Sequence, residues 1–125
     1  AMPVDLWFDY LGILLDSRKA EGLAFTVNFV LPDLGERYVL ELSNSTLTNI
    51  AGQQAANPDL TVTINRADLE PIMMRKATFA SQVAAGRAKL EGNPRVLEQL
   101  AGCLVEFDQF FEIMPGTKVP AARQP

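Results

Sequence analysis

Between residues 25 and 64 the hydrophobic period of the chain switches from that of a helix to that of a strand. Phe25, Val27, Phe29 and Leu31 alternate with Thr26 and Asn28, and Tyr38, Leu40 and Leu42 alternate with Glu41 and Ser43. Residues 46–50 follow a short turn, and Leu60, Val62 and Ile64 then stand opposite Thr61 and Thr63. Side chains alternate across a pleat, so each run has one apolar and one polar face. Pro32-Asp33-Leu34-Gly35 is a turn that makes the first two runs a hairpin, and Asn44-Ser45 is a second turn. Such a sheet must be covered on one side and wet on the other, which requires helices elsewhere in the chain.

Those helices are legible on both flanks. Residues 3–19 place Leu6, Tyr10, Ile13 and Leu14 at helical spacing, widened by Leu11 and Leu15, with Asp9 and Asp16 off the stripe. Pro3 suits a first turn and Gly22 a stop, while Gly12 costs about 1 kcal/mol in a helix unless another backbone packs closely there. Asn65 is an N-cap for a helix through Leu69, Ile72 and Met73, with Pro71 in its first turn or at a kink. Residues 78–85 continue with Phe79 and Val83, and Gly86 ends them. Ala88 and Leu90 form a short strand closed by Gly92. Asn93 then caps a helix with Pro94 at its first position and a stripe of Val96, Leu97, Leu100, Ala101, Leu104 and Val105. The order αββββααβα(α) describes an α+β layer fold, with helices on one face of a curled, five-stranded mixed sheet. Residues 3–116 form one domain, and the Pro-rich residues 117–125 read as a disordered tail.

Composition narrows the chemistry. The 125 residues include no histidine, the commonest general base and metal ligand, and one cysteine, Cys103, so no internal disulfide can form. No catalytic residue, cofactor or metal site is expected. With 15 acidic against 11 basic residues the chain is a poor match for nucleic acid. No run reaches the ~20 apolar residues of a membrane span. A soluble domain is expected, either excised from a longer chain or free-standing, its compartment left open, with Ala1-Met2 a remnant ahead of the natural start.

Individual candidates have plain readings beside functional ones. Cys103 sits beside the last apolar stripe without a neighbour that would activate it, which suits packing. Glu106, Asp108 and Glu112 punctuate an aromatic segment and read as its solvated face. Asn44-Ser45-Thr46 fits a glycosylation acceptor but is better explained as a turn. Arg75-Lys76 and Arg87 with Lys89 could meet an anionic head group or simply be surface. The most suggestive feature is a surplus of large apolar residues late in the chain: Met73, Met74, Phe79, Val83, Leu97, Leu100, Leu104, Phe107, Phe110, Phe111 and Met114. Methionines beside aromatics suit an adaptable cavity, and equally a methionine-filled core.

The element order, the run Leu60-Thr61-Val62-Thr63-Ile64-Asn65-Arg66-Ala67-Asp68-Leu69 and the run Gly86-Arg87-Ala88-Lys89-Leu90-Glu91-Gly92-Asn93 resemble the sterol-carrier-protein fold. Phe8-Asp9-Tyr10-Leu11, Asp33-Leu34-Gly35-Glu36-Arg37-Tyr38-Val39-Leu40 and Phe107-Asp108-Gln109-Phe110-Phe111-Glu112-Ile113-Met114-Pro115 are similar to the C-terminal domain of bacterial alkyl sulfatases. The resemblance covers about residues 3–116 and includes no catalytic motif. It implies a longer chain with a zinc-dependent, metallo-β-lactamase-type domain upstream that hydrolyses alkyl sulfate esters, and a domain here that gathers the apolar tail of the substrate. The histidine-rich zinc motif is missing, so the hydrolase chemistry cannot be placed on any residue of this chain.

The expectation is therefore a non-catalytic domain binding an alkyl chain or lipid, with the eleven late apolar residues lining its cavity and the catalytic domain of the same longer chain as a partner. The alternative is an interaction module, in which the cluster at 107–114 docks on that catalytic domain or in a homodimer and no ligand enters. An autonomous enzyme would be confined to acid or lysine chemistry.

Overall fold

A computed structural model describes residues 2–106. Five strands, β1 (Phe25–Leu31), β2 (Glu36–Ser43), β3 (Thr46–Ala51), β4 (Leu60–Ile64) and β5 (Ala88–Gly92), form one mixed sheet in the order β3-β2-β1-β4-β5. Only β1 and β4 are parallel; the other three pairings are antiparallel. The helices are α1 (Val4–Leu14), α2 (Ser17–Ala20), α3 (Arg66–Met73), α4 (Phe79–Ala84) and α5 (Arg95–Gly102). The architecture is the α+β layer of helices and a five-stranded mixed sheet that the alternation led one to expect. The tail at 117–125 and the cluster at 107–114 lie outside the described residues.

The alternation fixes which face is covered. Phe25, Val27, Phe29 and Leu31 of β1, Tyr38, Leu40 and Leu42 of β2, and Leu60, Val62 and Ile64 of β4 are all buried, in one core with residues from α1, α3, α4 and α5. The opposite face is not wholly wet. To pass from β3 at the edge to β4 beside β1, the chain has to cross β2 and β1, and residues 52–59 do so over the outer face. There Asn28, 5% exposed, clasps the crossing segment: its Nδ2 donates to the Ala55 carbonyl (2.9 Å) and its Oδ1 accepts from the Ala55 N–H (2.8 Å). A buried amide satisfied on both ends is stable where an unpaired one would cost more than a kilocalorie.

The first helix differs from expectation in face and length. Val4, Trp7, Phe8 and Leu11 are buried, while Leu6, Tyr10 and Ile13 are exposed. Apolar residues nearly encircle this helix, so the period alone cannot choose between two stripes, and the aromatic payload decides. Phe8 packs on Phe29 (ring centroids 4.9 Å) and edge-on to Tyr38 (5.6 Å). The helix also stops early. Leu15 is extended and bridges Leu104, and Asp16 caps the separate turn α2 by accepting from the N–H groups of Arg18 and Lys19. Gly12 behaves as anticipated: a Cβ there would stand 3.4 Å from the Leu47 carbonyl oxygen of β3, over which α1 lies.

One N-cap departs from the sequence reading. Asn65 occupies the N-cap position of α3, but its side chain makes no cap bond. Asp33, from the β1–β2 turn, caps instead, accepting from the N–H groups of Arg66 (2.7 Å) and Ala67 (3.2 Å), while Asn65 Oδ1 accepts from the Asp33 N–H. Pro71 lies in the second turn of α3 rather than the first. Asn93 does serve α5, accepting from the Arg95 N–H, yet the helix ends at Gly102. Leu104 and Val105 leave it to run antiparallel to residues 14–16, through Asp16 N–H to the Cys103 carbonyl (2.7 Å) and Val105 N–H to the Leu14 carbonyl (2.8 Å). Lys19 Nζ adds a bond to the Leu104 carbonyl.

Candidate functional site

The interior between sheet and helices gathers part of the expected lining. Phe79 at the start of α4, Leu97 and Leu100 on the inner stripe of α5, and Leu104 beyond it are each at most 1% exposed. They share one apolar core with Phe8, Leu11, Phe29, Val62, Ile64, Leu69 and Ile72. Met73 at the end of α3 and Val83 in α4 are half-buried at its margin. Met74, one residue further, is 52% exposed. Phe107, Phe110, Phe111 and Met114 lie outside the described residues. The N-terminal and strand contributions were missing from the predicted lining, although the inward phase of each strand already marked Phe29, Val62 and Ile64.

Two of the surface concavities among the described residues lie beside core residues. One, of about 480 Å³, is bounded by Gly35, Glu36, Arg37, Tyr38, Ala51 and Gly52 at the hairpin end of the sheet. The Tyr38 hydroxyl there donates to Glu36 (2.8 Å), and burial, then that carboxylate, push its pKa up to about 12. The second, of about 220 Å³, lies where α4 meets β5 and includes Thr63, Asn65, Arg87 and Lys89 over Ile64 and Ala88. None of the late apolar candidates within the described residues borders either of them.

The remaining candidates fall into place separately. Cys103 is buried, its Sγ lies 3.6 Å from the Lys19 carbonyl, and burial pushes its thiol pKa up, so it packs rather than reacts. Asn44 and Ser45 form the β2–β3 turn with positive φ at both, the conformation of a tight hairpin. Arg75, Lys76 and Glu106 are exposed; Asp108 and Glu112 lie outside the described residues. Among the described residues no three His, Cys, Asp or Glu side chains group together, and the chain has no histidine, so these residues do not fit a zinc site.

Comparison with known proteins decides the family. Residues 1–116 match the family model described as "Alkyl sulfatase C-terminal". The chain belongs to the alkyl sulfatase C-terminal family. This alkyl sulfatase C-terminal domain is 35% identical over 114 residues to a linear primary-alkylsulfatase of Pseudomonas sp., an alignment covering 91% of the chain and 17% of that relative. It therefore spans about a sixth of the length of the curated relatives it matches. The structure of a stereoselective inverting sec-alkylsulfatase from Pseudomonas sp. superposes with a TM-score of 0.77 at 34% identity, over 86% of this chain and 17% of that one. Palmitated SCP2L2 from Aedes aegypti matches with a TM-score of 0.63 at 19% identity, over 79% of this chain and 91% of its own, which makes the fold sterol-carrier-like. No helix among the described residues is long and apolar enough to cross a membrane.

Proposed function

We infer that this domain takes the apolar chain of an amphiphile between its sheet and helices, and thereby recruits substrate for the hydrolytic part of a longer alkyl sulfatase without itself catalysing hydrolysis. The observation that carries this reading is the pairing of alkyl sulfatase membership with a sterol-carrier-like fold, one relative of which is described in palmitated form. Phe79, Leu97, Leu100 and Leu104, with Met73 and Val83 at the margin, are the candidate lining, and Phe107, Phe110, Phe111, Met114 and Met74 complete the proposed set.

At about 0.8 kcal/mol per buried methylene a twelve-carbon chain gains roughly 9 kcal/mol gross, against an association cost of about 4 kcal/mol or more. Affinity is then micromolar at best, which suits capture and release. Titrating the chain with dodecyl sulfate below its micelle concentration should give saturable binding and a raised melting temperature. Leu100→Trp, which fills the interior, should abolish binding while the fold persists. Absence of both binding and stabilisation, with dimerisation instead, refutes the reading.

The outer face of α1 favours a second reading. Leu6, Tyr10 and Ile13 form an exposed stripe one helical turn apart, suited to packing against the remainder of the longer chain. Under this reading alone, Leu6→Ser with Ile13→Ser weakens attachment of the domain and leaves dodecyl sulfate binding unchanged.

A further inference from the structure

Gln82 is a buried polar side chain, 2% exposed, on the short helix α4. Both ends of its amide are used. Nε2 donates to the Asp68 carbonyl of α3 (2.6 Å), and Oε1 accepts from Arg87 Nε (2.8 Å), while the Arg87 N–H donates to the Gln82 carbonyl (2.8 Å). The result is an arginine on the surface whose side chain is held by a buried partner through its Nε edge. Its two terminal Nη groups have no hydrogen-bond partner among the described residues. That leaves the guanidinium edge whose paired N–H groups match two oxygens of a sulfate or carboxylate.

Arg87 borders the 220 Å³ concavity between α4 and β5. Lys89, across the sheet from Thr63, adds a second cation, shared with Glu91 at 3.6 Å. Thr63 and Asn65 supply further polar groups, and the nearest acid of the β1–β2 turn, Asp33, is already committed to the N–H groups of Arg66 and Ala67. Ile64 and Ala88, which line the same concavity, are 1% and 8% exposed and belong to the apolar core beneath it. At ~30 Å³ per water its volume equals about seven waters, room for a tetrahedral head group.

We propose that this concavity is a head-group site, in which Arg87 and Lys89 receive the anionic sulfate or carboxylate of an amphiphile whose chain enters the interior beside Ile64 and Ala88. The proposal rests on the apolar-chain reading above and specifies the polar end of the ligand. An arginine fixed in advance by Gln82 loses little freedom on binding, which favours a stable contact over a passing surface pair.

The test compares decyl sulfate, decanol and sodium sulfate by calorimetric titration of the 125-residue chain in low salt, below the decyl sulfate micelle concentration. Decyl sulfate should bind about tenfold more tightly than decanol, as one charge-assisted contact provides. Arg87→Gln should remove that advantage with decanol affinity unchanged, while loss of the partner of the buried Gln82 Oε1 lowers the unfolding midpoint, and Lys89→Gln should remove part of the advantage with the midpoint unchanged. Equal affinity for both decyl compounds in the wild type, or an advantage that survives Arg87→Gln, overturns the head-group site and leaves chain binding standing. Sodium sulfate binding at Arg87 as tightly as decyl sulfate also overturns it, in favour of a free-anion site. If neither decyl compound binds, the chain-binding reading falls and the head-group site with it.

Discussion

The clasp between Asn28 and Ala55 offers the sharpest test of how the outer face of the sheet is held. Asn28→Ala removes two hydrogen bonds of 2.8 and 2.9 Å and leaves the Ala55 N–H and carbonyl to find water in a half-buried position. At about 0.5–1.5 kcal/mol net for each bond, the expected loss is about 2 kcal/mol. For a domain of this size that corresponds to a fall in melting temperature of about 8 °C. Urea unfolding followed by the fluorescence of Trp7, which is 6% exposed in the folded state, measures the loss directly. Asn28→Asp sharpens the reasoning. The carboxylate still accepts from the Ala55 N–H but opposes the Ala55 carbonyl, so its folded pKa is raised by burial and by that carbonyl. Its penalty should appear as the pH rises above ~3.9, the unfolded value, and grow until the folded pKa is passed. A loss below about 0.5 kcal/mol for Asn28→Ala, or a pH-independent Asn28→Asp, would refute the view that this pair holds residues 52–59 over the sheet.

Other consequences follow from single positions. Gly92 has φ +110°, and a Cβ there would stand 2.5 Å from the Asp59 carbonyl oxygen, so Gly92→Ala should cost at least about 2 kcal/mol in denaturant unfolding; a near-neutral variant would mean that the β4–β5 end is looser than described. The Asp33 carboxyl is held below its ordinary value of 3.8, chiefly by the Arg66 N–H. Its stabilising contribution is complete above the unfolded pKa and disappears as the pH falls through the lower folded value, and Asp33→Asn should flatten that part of the stability profile; parallel profiles would remove Asp33 from the cap. Cys103 should react with thiol reagents at pH 8 far more slowly in the folded chain than in the unfolded one, and equal rates would contradict its burial.

Strands were legible because alternation is a local property read at a fixed period of two. Phe29, Leu40 and Val62 declare their side without reference to anything distant. The helices were harder where distant partners decide. In α1 two apolar stripes compete, and Phe29 and Tyr38, far along the chain, select the one containing Phe8. At α3 a plausible local cap, Asn65, gives way to Asp33 because the β1–β2 turn places a carboxylate over the helix end. The run to Val105 kept its helical period in sequence, yet Leu104 pairs with Leu15 instead. The proposed site divides the same way: the apolar members come from a periodic stripe, whereas the Gln82–Arg87 pair depends on how α4 turns into β5 and leaves no periodic trace.

The junction of residues 14–16 with residues 103–105 has a kinetic consequence. Lys19 and Leu104 stand 85 positions apart, so closing this join orders far more chain than a hairpin does, by about 2 kcal/mol of extra loop entropy relative to a turn of roughly ten residues. At that cost it is expected to close late in folding and to reopen before any strand of the sheet parts. The amides of Asp16 and Val105 should therefore exchange with deuterium well before those of β1. Such an opening would uncover Cys103 and Leu104, both 1% exposed when it is closed, so the seam is the expected door to the interior while the sheet remains intact.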